Sequence, residues 1–200
     1  MFNYKFSIKR KALYVKASLV VLFLNLAICA PVYQIILGCF HQPMLKINGP
    51  FNGVYDAIIV LMISPFFEET IFKGIFLDGL LKKQSPVISI FFTALLFSVM
   101  HANPYLLTTI FFSAIFTGWL YYRTRNLALV IWIHFLHNLI GSIEGYALQD
   151  VRSGFTTGLD RAYGPNSLLL ILIFVIFFLI SFYVLYKGLD RDIQDYPLFR

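Results

Sequence analysis

Long apolar runs alternate with short polar breaks along the whole chain. The runs cover residues 17–40, 54–81, 86–101, 104–122, 127–148 and 168–186. The breaks hold turn-forming residues. They are Pro43, Asn48-Gly49-Pro50 and Gly53; Lys82-Lys83-Gln84-Ser85; Ala102-Asn103-Pro104; Arg123-Thr124-Arg125-Asn126; and a polar, Gly-containing loop over 149–165. Such residues punctuate regular structure, and Pro86 suits the first position of a helix. A membrane-spanning helix needs about twenty apolar residues. The sixth run has nineteen without a charge, and the third has only sixteen. The pattern predicts an all-α, polytopic membrane helical bundle of about six transmembrane helices.

Composition supports that class. Of the 200 residues, 59% are hydrophobic and 13% charged, with a mean hydropathy of +0.76. A soluble domain of this size could not hide so much apolar surface. The net charge of +6 is therefore read through topology. With the N-terminus cytoplasmic, twelve Lys and Arg fall on the inner side. Three (Lys46, Arg152 and Arg161) fall on the outer side, and Lys73 lies within a span. That bias predicts both termini in the cytoplasm. No nucleic-acid partner is expected, because the aromatics lie inside the apolar runs rather than among the basic residues. The basic N-terminus followed by an apolar run looks like a signal peptide. The run is too long for one, and Pro31 would follow the only cut site, after Ala30. Leu26-Ala27-Ile28-Cys29 has Ile28 where a lipobox needs a small residue. An uncleaved first span with a bend at Pro31 is expected. Cys29 and Cys39 stand about 15 Å apart on one helix, too far for a disulfide. With no CxxC spacing, a thiolate zinc site is unsupported. The chain reads as one membrane domain over 1–200, with a catalytic core near 54–148 and flanking anchor helices at 17–40 and 168–186.

Polar groups inside the spans carry the candidate chemistry. The second run holds Glu68, Glu69 and Lys73; the third ends in Phe97 and His101; the fifth holds His134, His137 and Asn138. Charges at bilayer depth are costly and are functional by default. Glu69 and Lys73 can pair at i,i+4, while Glu68 projects about 100° away. The plain alternatives are a buried ion pair that locks helix packing and intramembrane histidines that only hydrogen-bond between helices. Groups on three spans are best satisfied in one shared cavity. A chain reversal at 102–104 below the outer surface would bring His101 to the others. A carboxylate there could activate water for hydrolysis. Two His and two Glu could equally form a catalytic zinc site with one open position.

Glu68-Glu69-xxx-Lys73, Phe97-xxx-His101 and His134-xxx-Asn138 resemble, in order, the EExxxR, FxxxH and HxxxN motifs of the CPBP family, also called the Abi family. It includes the type II CAAX prenyl endopeptidase and many bacterial intramembrane proteases. The resemblance covers residues 60–142, and Phe72 and Gly74 also fit it. Lys73 departs from the usual Arg: the charge is kept and the planar fork of donors is lost, which favours a diverged bacterial branch. The resemblance implies that Glu68 is the general base on water, assisted by His101. His134 and Asn138 would stabilise the oxyanion. Glu69 would tune Glu68 and hold Lys73, with Phe97 in support. The family has been described both as metalloprotease and as metal-free glutamic protease. If a metal is present, it is zinc held by Glu68, His101 and His134. No HExxH occurs, which favours the metal-free reading. His137 is the competing ligand, about 60° off the His134 face, and reads as packing or second shell. The implied protein is a multi-pass intramembrane endopeptidase of a bacterial plasma membrane, acting on a peptide or membrane-protein substrate. Nothing points to a prenylated one. The rivals are a non-catalytic membrane protein, such as a bacteriocin self-immunity factor, and a transporter. The latter would show pseudo-repeated halves, and none is visible.

Overall fold

The computed structural model describes residues 11–39, 53–147, 159 and 163–195. Several expected features lie outside them: the basic segment 1–10, the loop 41–52, most of the loop 149–165 and the last residues of the tail. Six helices make up the described structure: α1 (11–39), α2 (54–80), α3 (Pro86–Met100), α4 (Leu107–Thr124), α5 (Leu127–Ala147) and α6 (Ser167–Asp195). Lys11–Ile36, Leu127–Glu144 and Ser167–Asp190 are long and apolar enough to cross a membrane.

Local chemistry sets the helix ends. Ser85 Oγ accepts from Ile88 N at 3.4 Å and caps α3, with Pro86 as its first residue. After α3, Ala102 turns left-handed at φ 50°. Asn103 Oδ1 then accepts from Tyr105 N and Leu106 N. This side-chain turn uses up residues 102–106, so α4 starts at Leu107 rather than at Pro104 as expected. Arg125, at φ 49°, ends α4, and Asn126 Oδ1 accepts from Leu129 N at 3.2 Å to start α5. Two outer boundaries also differ. α1 is already helical at Lys11, ahead of the apolar run, and α6 is still helical at Asp195, within the expected tail. Lys and Arg are good helix formers, so polarity ends the apolar run without ending the helix.

α1 and α2 are not uniform. Asn25–Cys29 in α1, and Ile59–Ile63 and Thr70–Leu77 in α2, are wider, π-helical turns. The α-helical turn Ser64–Glu69, which carries both glutamates, lies between the last two. Wide turns of this kind concentrate at functional sites.

The core gathers Ala17, Val20 and Val21 of α1, Leu120 and Tyr121 of α4, Val130 and Ile133 of α5, and Leu185 of α6. α6 packs along α1, and its apolar residues Leu172, Ile176, Phe177 and Ile180 stay exposed, as suits a helix facing lipid. At the end of the bundle where α2 meets the α4–α5 turn, buried Asp78 pairs with Arg125 and Lys82, and Arg123 pairs with Asp190 of α6. A second, smaller cluster gathers Ala94 and Phe97 of α3 and Ala114 of α4.

Candidate active site

α2, α3 and α5 bring the intramembrane polar groups together. Glu69 is sealed: its side chain is 1% exposed, against 30% for Glu68. Glu69 Oε1 accepts from His134 Nδ1 at 2.9 Å, and its Oε2 lies 3.5 Å from Lys73 Nζ, which is fully buried. Glu68 turns the other way, into a cavity, as the roughly 100° step between neighbours on a helix requires. Its Oε2 lies 3.7 Å from His101 Nε2 and 3.7 Å from His134 Nε2, and it is buried without a hydrogen-bond partner.

The hydrogen bonds fix which ring nitrogen is which. His101 Nδ1 lies 2.8 Å from the Phe97 carbonyl. A carbonyl only accepts, so Nδ1 carries the hydrogen, and Nε2 presents a lone pair when the ring is neutral. His134 Nδ1 likewise donates to the Glu69 carboxylate. Both Nε2 atoms therefore face Glu68 Oε2, across gaps too long for direct hydrogen bonds. Phe97 sits among them. Its ring stacks edge-on to His134 at 5.7 Å and tilted to His101 at 4.7 Å, with Lys73 Nζ 4.5 Å from its centre. An aromatic face over a buried ammonium is attractive.

Asn138 stands one turn beyond His134 on the same side of α5, facing α2. Its Nδ2 donates to the Val60 carbonyl at 3.0 Å. His137 lines the cavity, and its Nδ1 is buried without a hydrogen-bond partner. Zinc needs three or four donors about 2 Å from one point. Among the described residues, no three His, Cys, Asp or Glu side chains come together closely enough to hold a metal ion. Glu68, His101 and His134 meet only pairwise, through Glu68 Oε2, and do not form a ready-made zinc centre.

The cavity, of about 470 Å³, reaches well beyond the motif residues. Asn25, Cys29, Tyr33 and Gln34 of α1 form one wall, so the first helix, expected only to pack and anchor, also shapes the cavity. Glu144, ten residues past His134, lies at its far end, and its Oε1 is buried without a hydrogen-bond partner. Glu144 belongs to no motif and was not singled out in the sequence. The signal was available, as a carboxylate within an apolar run. It lies within electrostatic reach of Tyr163. Burial first, then the Glu144 and Cys29 charges, hold the Tyr163 phenol above its ordinary range.

Residues 50–140 match the family described as Type II CAAX prenyl endopeptidase Rce1-like. No curated protein and no solved structure matches the chain. The matched segment contains all three motifs, all of α2, α3 and α4, and the part of α5 that bears His134 and Asn138. That family is made up of membrane-embedded proteases, and the helices described are those of a multi-pass membrane protein. Over residues 50–140, the chain is similar to the Rce1-like type II CAAX prenyl endopeptidase (CPBP) family.

Proposed function

We propose that this protein is an intramembrane endopeptidase in which Glu68 activates a water molecule. One observation carries the reading. Glu68 Oε2 and the Nε2 atoms of His101 and His134 face one another at 3.7 Å at the head of a cavity. Glu68 Oε2 and His101 Nε2 are both acceptors and repel unless hydrogens lie between them, and a water supplies two. One would go to Glu68 and the other to His101 Nε2. Glu68 takes its proton as the water oxygen attacks the peptide carbonyl. The carbonyl oxygen becomes an oxyanion. His134, with hydrogens on both nitrogens and Nδ1–H held by Glu69, donates Nε2–H to it. Glu68 then returns the proton to the leaving nitrogen, giving a carboxylic acid and an amine.

Glu69, Lys73 and Phe97 act through His134, which they hold in place. Residues 54–148 form the catalytic core, with 17–40 and 168–186 flanking it. Six crossings with both termini in the cytoplasm accord with the distribution of Lys and Arg. A diverged bacterial branch, working in the plasma membrane, accords with Lys73 in the place of the usual Arg. Peptides or membrane proteins are the substrates.

The test uses the purified full-length protein in detergent with a mixture of leader peptides and transmembrane peptides, read by mass spectrometry with and without chelator. Cleavage that survives chelation and is lost in Glu68→Gln is expected. Undiminished turnover in Glu68→Gln would refute the assignment of the base. Loss on chelation with recovery on added zinc would replace the water-only mechanism. A folded wild type that cleaves nothing would leave the non-catalytic reading.

A further inference from the structure

Two carbonyls in this bundle lose their donors in the same way. In α1, Ala30 N–H bonds to Asn25 O, five residues back. Leu26 O is next in that register, and its donor would be Pro31, which has no N–H. Tyr163 supplies the missing hydrogen, its hydroxyl donating to Leu26 O at 2.8 Å. In α2, Ser64 N–H bonds to Ile59 O, again five residues back. Val60 O is next, and its donor would be Pro65. Asn138 Nδ2 supplies that hydrogen across the helix interface, at 3.0 Å. In both helices the wide turn ends just before a proline, which moves the bare carbonyl one residue back from the i−4 position that the ring would strike.

We propose that Asn138 is a positioning residue that sets the place of Glu68 by tying the Pro65 turn of α2 to α5. Pro65 lies three residues before Glu68, and both belong to the α-helical turn Ser64–Glu69. α5 grips α2 at two points, one before that turn and one at its end. Asn138 holds the wide turn Ile59–Ile63 just before it through Val60, and His134, one turn away on α5, holds its end through Glu69. Glu68 lies between the two grips, and its buried Oε2 has no hydrogen-bond partner. Its 3.7 Å approach to both imidazoles therefore depends on where those grips hold the backbone. Val60 and Asn138 both line the cavity, so water can solvate Val60 O if Asn138 is lost. Such a water satisfies the carbonyl but leaves α2 untethered. The catalytic half of this proposal rests on the proteolytic reading; the structural half does not.

Restoring a main-chain hydrogen at position 65 tests it. Asn138→Ala should lower kcat by about 10²-fold, the scale of a misplaced catalytic group, with KM nearly unchanged. It should also lower the unfolding temperature. Pro65→Ala gives residue 65 an N–H for Val60 O, so the double variant should recover most of both losses. If Asn138 instead touches the substrate as an oxyanion donor, the double variant keeps the whole loss in kcat, and the proposal is overturned. A second measurement does not depend on Pro65→Ala folding. With a carbon-13 carbonyl label at Val60, the amide I band should shift in Asn138→Ala and stay fixed in His137→Ala. An unshifted band in Asn138→Ala overturns the proposal. Should the wild type cleave nothing, the unfolding temperatures and the Val60 band still decide the link, so the two readings fail separately.

Discussion

Replacing Lys73 by Met is the sharpest test of what holds the site together. Lys73 is fully buried, with its Nζ 3.5 Å from Glu69 Oε2 and 4.5 Å from the centre of the Phe97 ring. Methionine keeps most of the volume and the apolar stem, so the packing loss is small. The charge loss is not small. Breaking a buried pair by removing one partner costs about 3–5 kcal/mol, because the other charge is left uncompensated. Glu69 still receives the His134 hydrogen bond at 2.9 Å, which favours the lower end, and the lost cation–aromatic contact adds about 1 kcal/mol. We expect Lys73→Met to cost about 3–4 kcal/mol. Glu69→Gln in the same chain removes the stranded charge and should recover at least about 2 kcal/mol. The double variant should still turn over slowly, because His134 then loses its anionic partner. Lys73→Arg keeps the charge, and its longer fork can close the 3.5 Å gap; it should stay folded. Unfolding in mixed micelles, followed through Trp119 and Trp132, reads all four chains. A loss below about 1 kcal/mol in Lys73→Met, with no recovery in the double variant, would show that Lys73 does not balance Glu69.

Two further outcomes are expected. Tyr163→Phe should cost about 1–2 kcal/mol, since it bares Leu26 O, and Pro31→Ala should recover most of that by supplying an N–H; equal unfolding midpoints for Tyr163→Phe and wild type would contradict this. Reporter fusions after Arg200 and at Lys83 should read cytoplasmic, and fusions within 149–165 should read external. The reverse pattern would overturn the orientation drawn from the Lys and Arg bias.

The parts legible in the sequence are those that depend on neighbours along the chain. Ser85-Pro86, Ala102-Asn103-Pro104 and Arg125-Asn126 mark helix ends because their side chains bond to their own turns. The site residues stood out because each is polar within an apolar run. The pairing of those residues was less accessible. Helix periodicity says that Glu68 and Glu69 diverge, but which of them meets His134 Nδ1 depends on how α5 is rotated against α2. Packing of Val130 and Ile133 into the core sets that rotation. The cavity wall on α1 was half visible: Asn25, Cys29 and Tyr33 recur every four residues, a stripe that a helix presents on one face.

The wide turns have a signal of a different kind, and it lies in the prolines. A proline inside a spanning helix must leave one carbonyl bare, and lipid offers no donor. A sequence with Pro31 and Pro65 inside its spans therefore needs a donor, from a side chain or a water, for each of two carbonyls. Tyr163 and Asn138 meet that need. Of the two, only Asn138 lies in a motif that the sequence singled out. The same amide that resemblance assigns to the oxyanion is the one that Pro65 requires. A motif position can thus answer to the backbone of a neighbouring helix as well as to a substrate, and restoring the hydrogen at residue 65 separates the two demands.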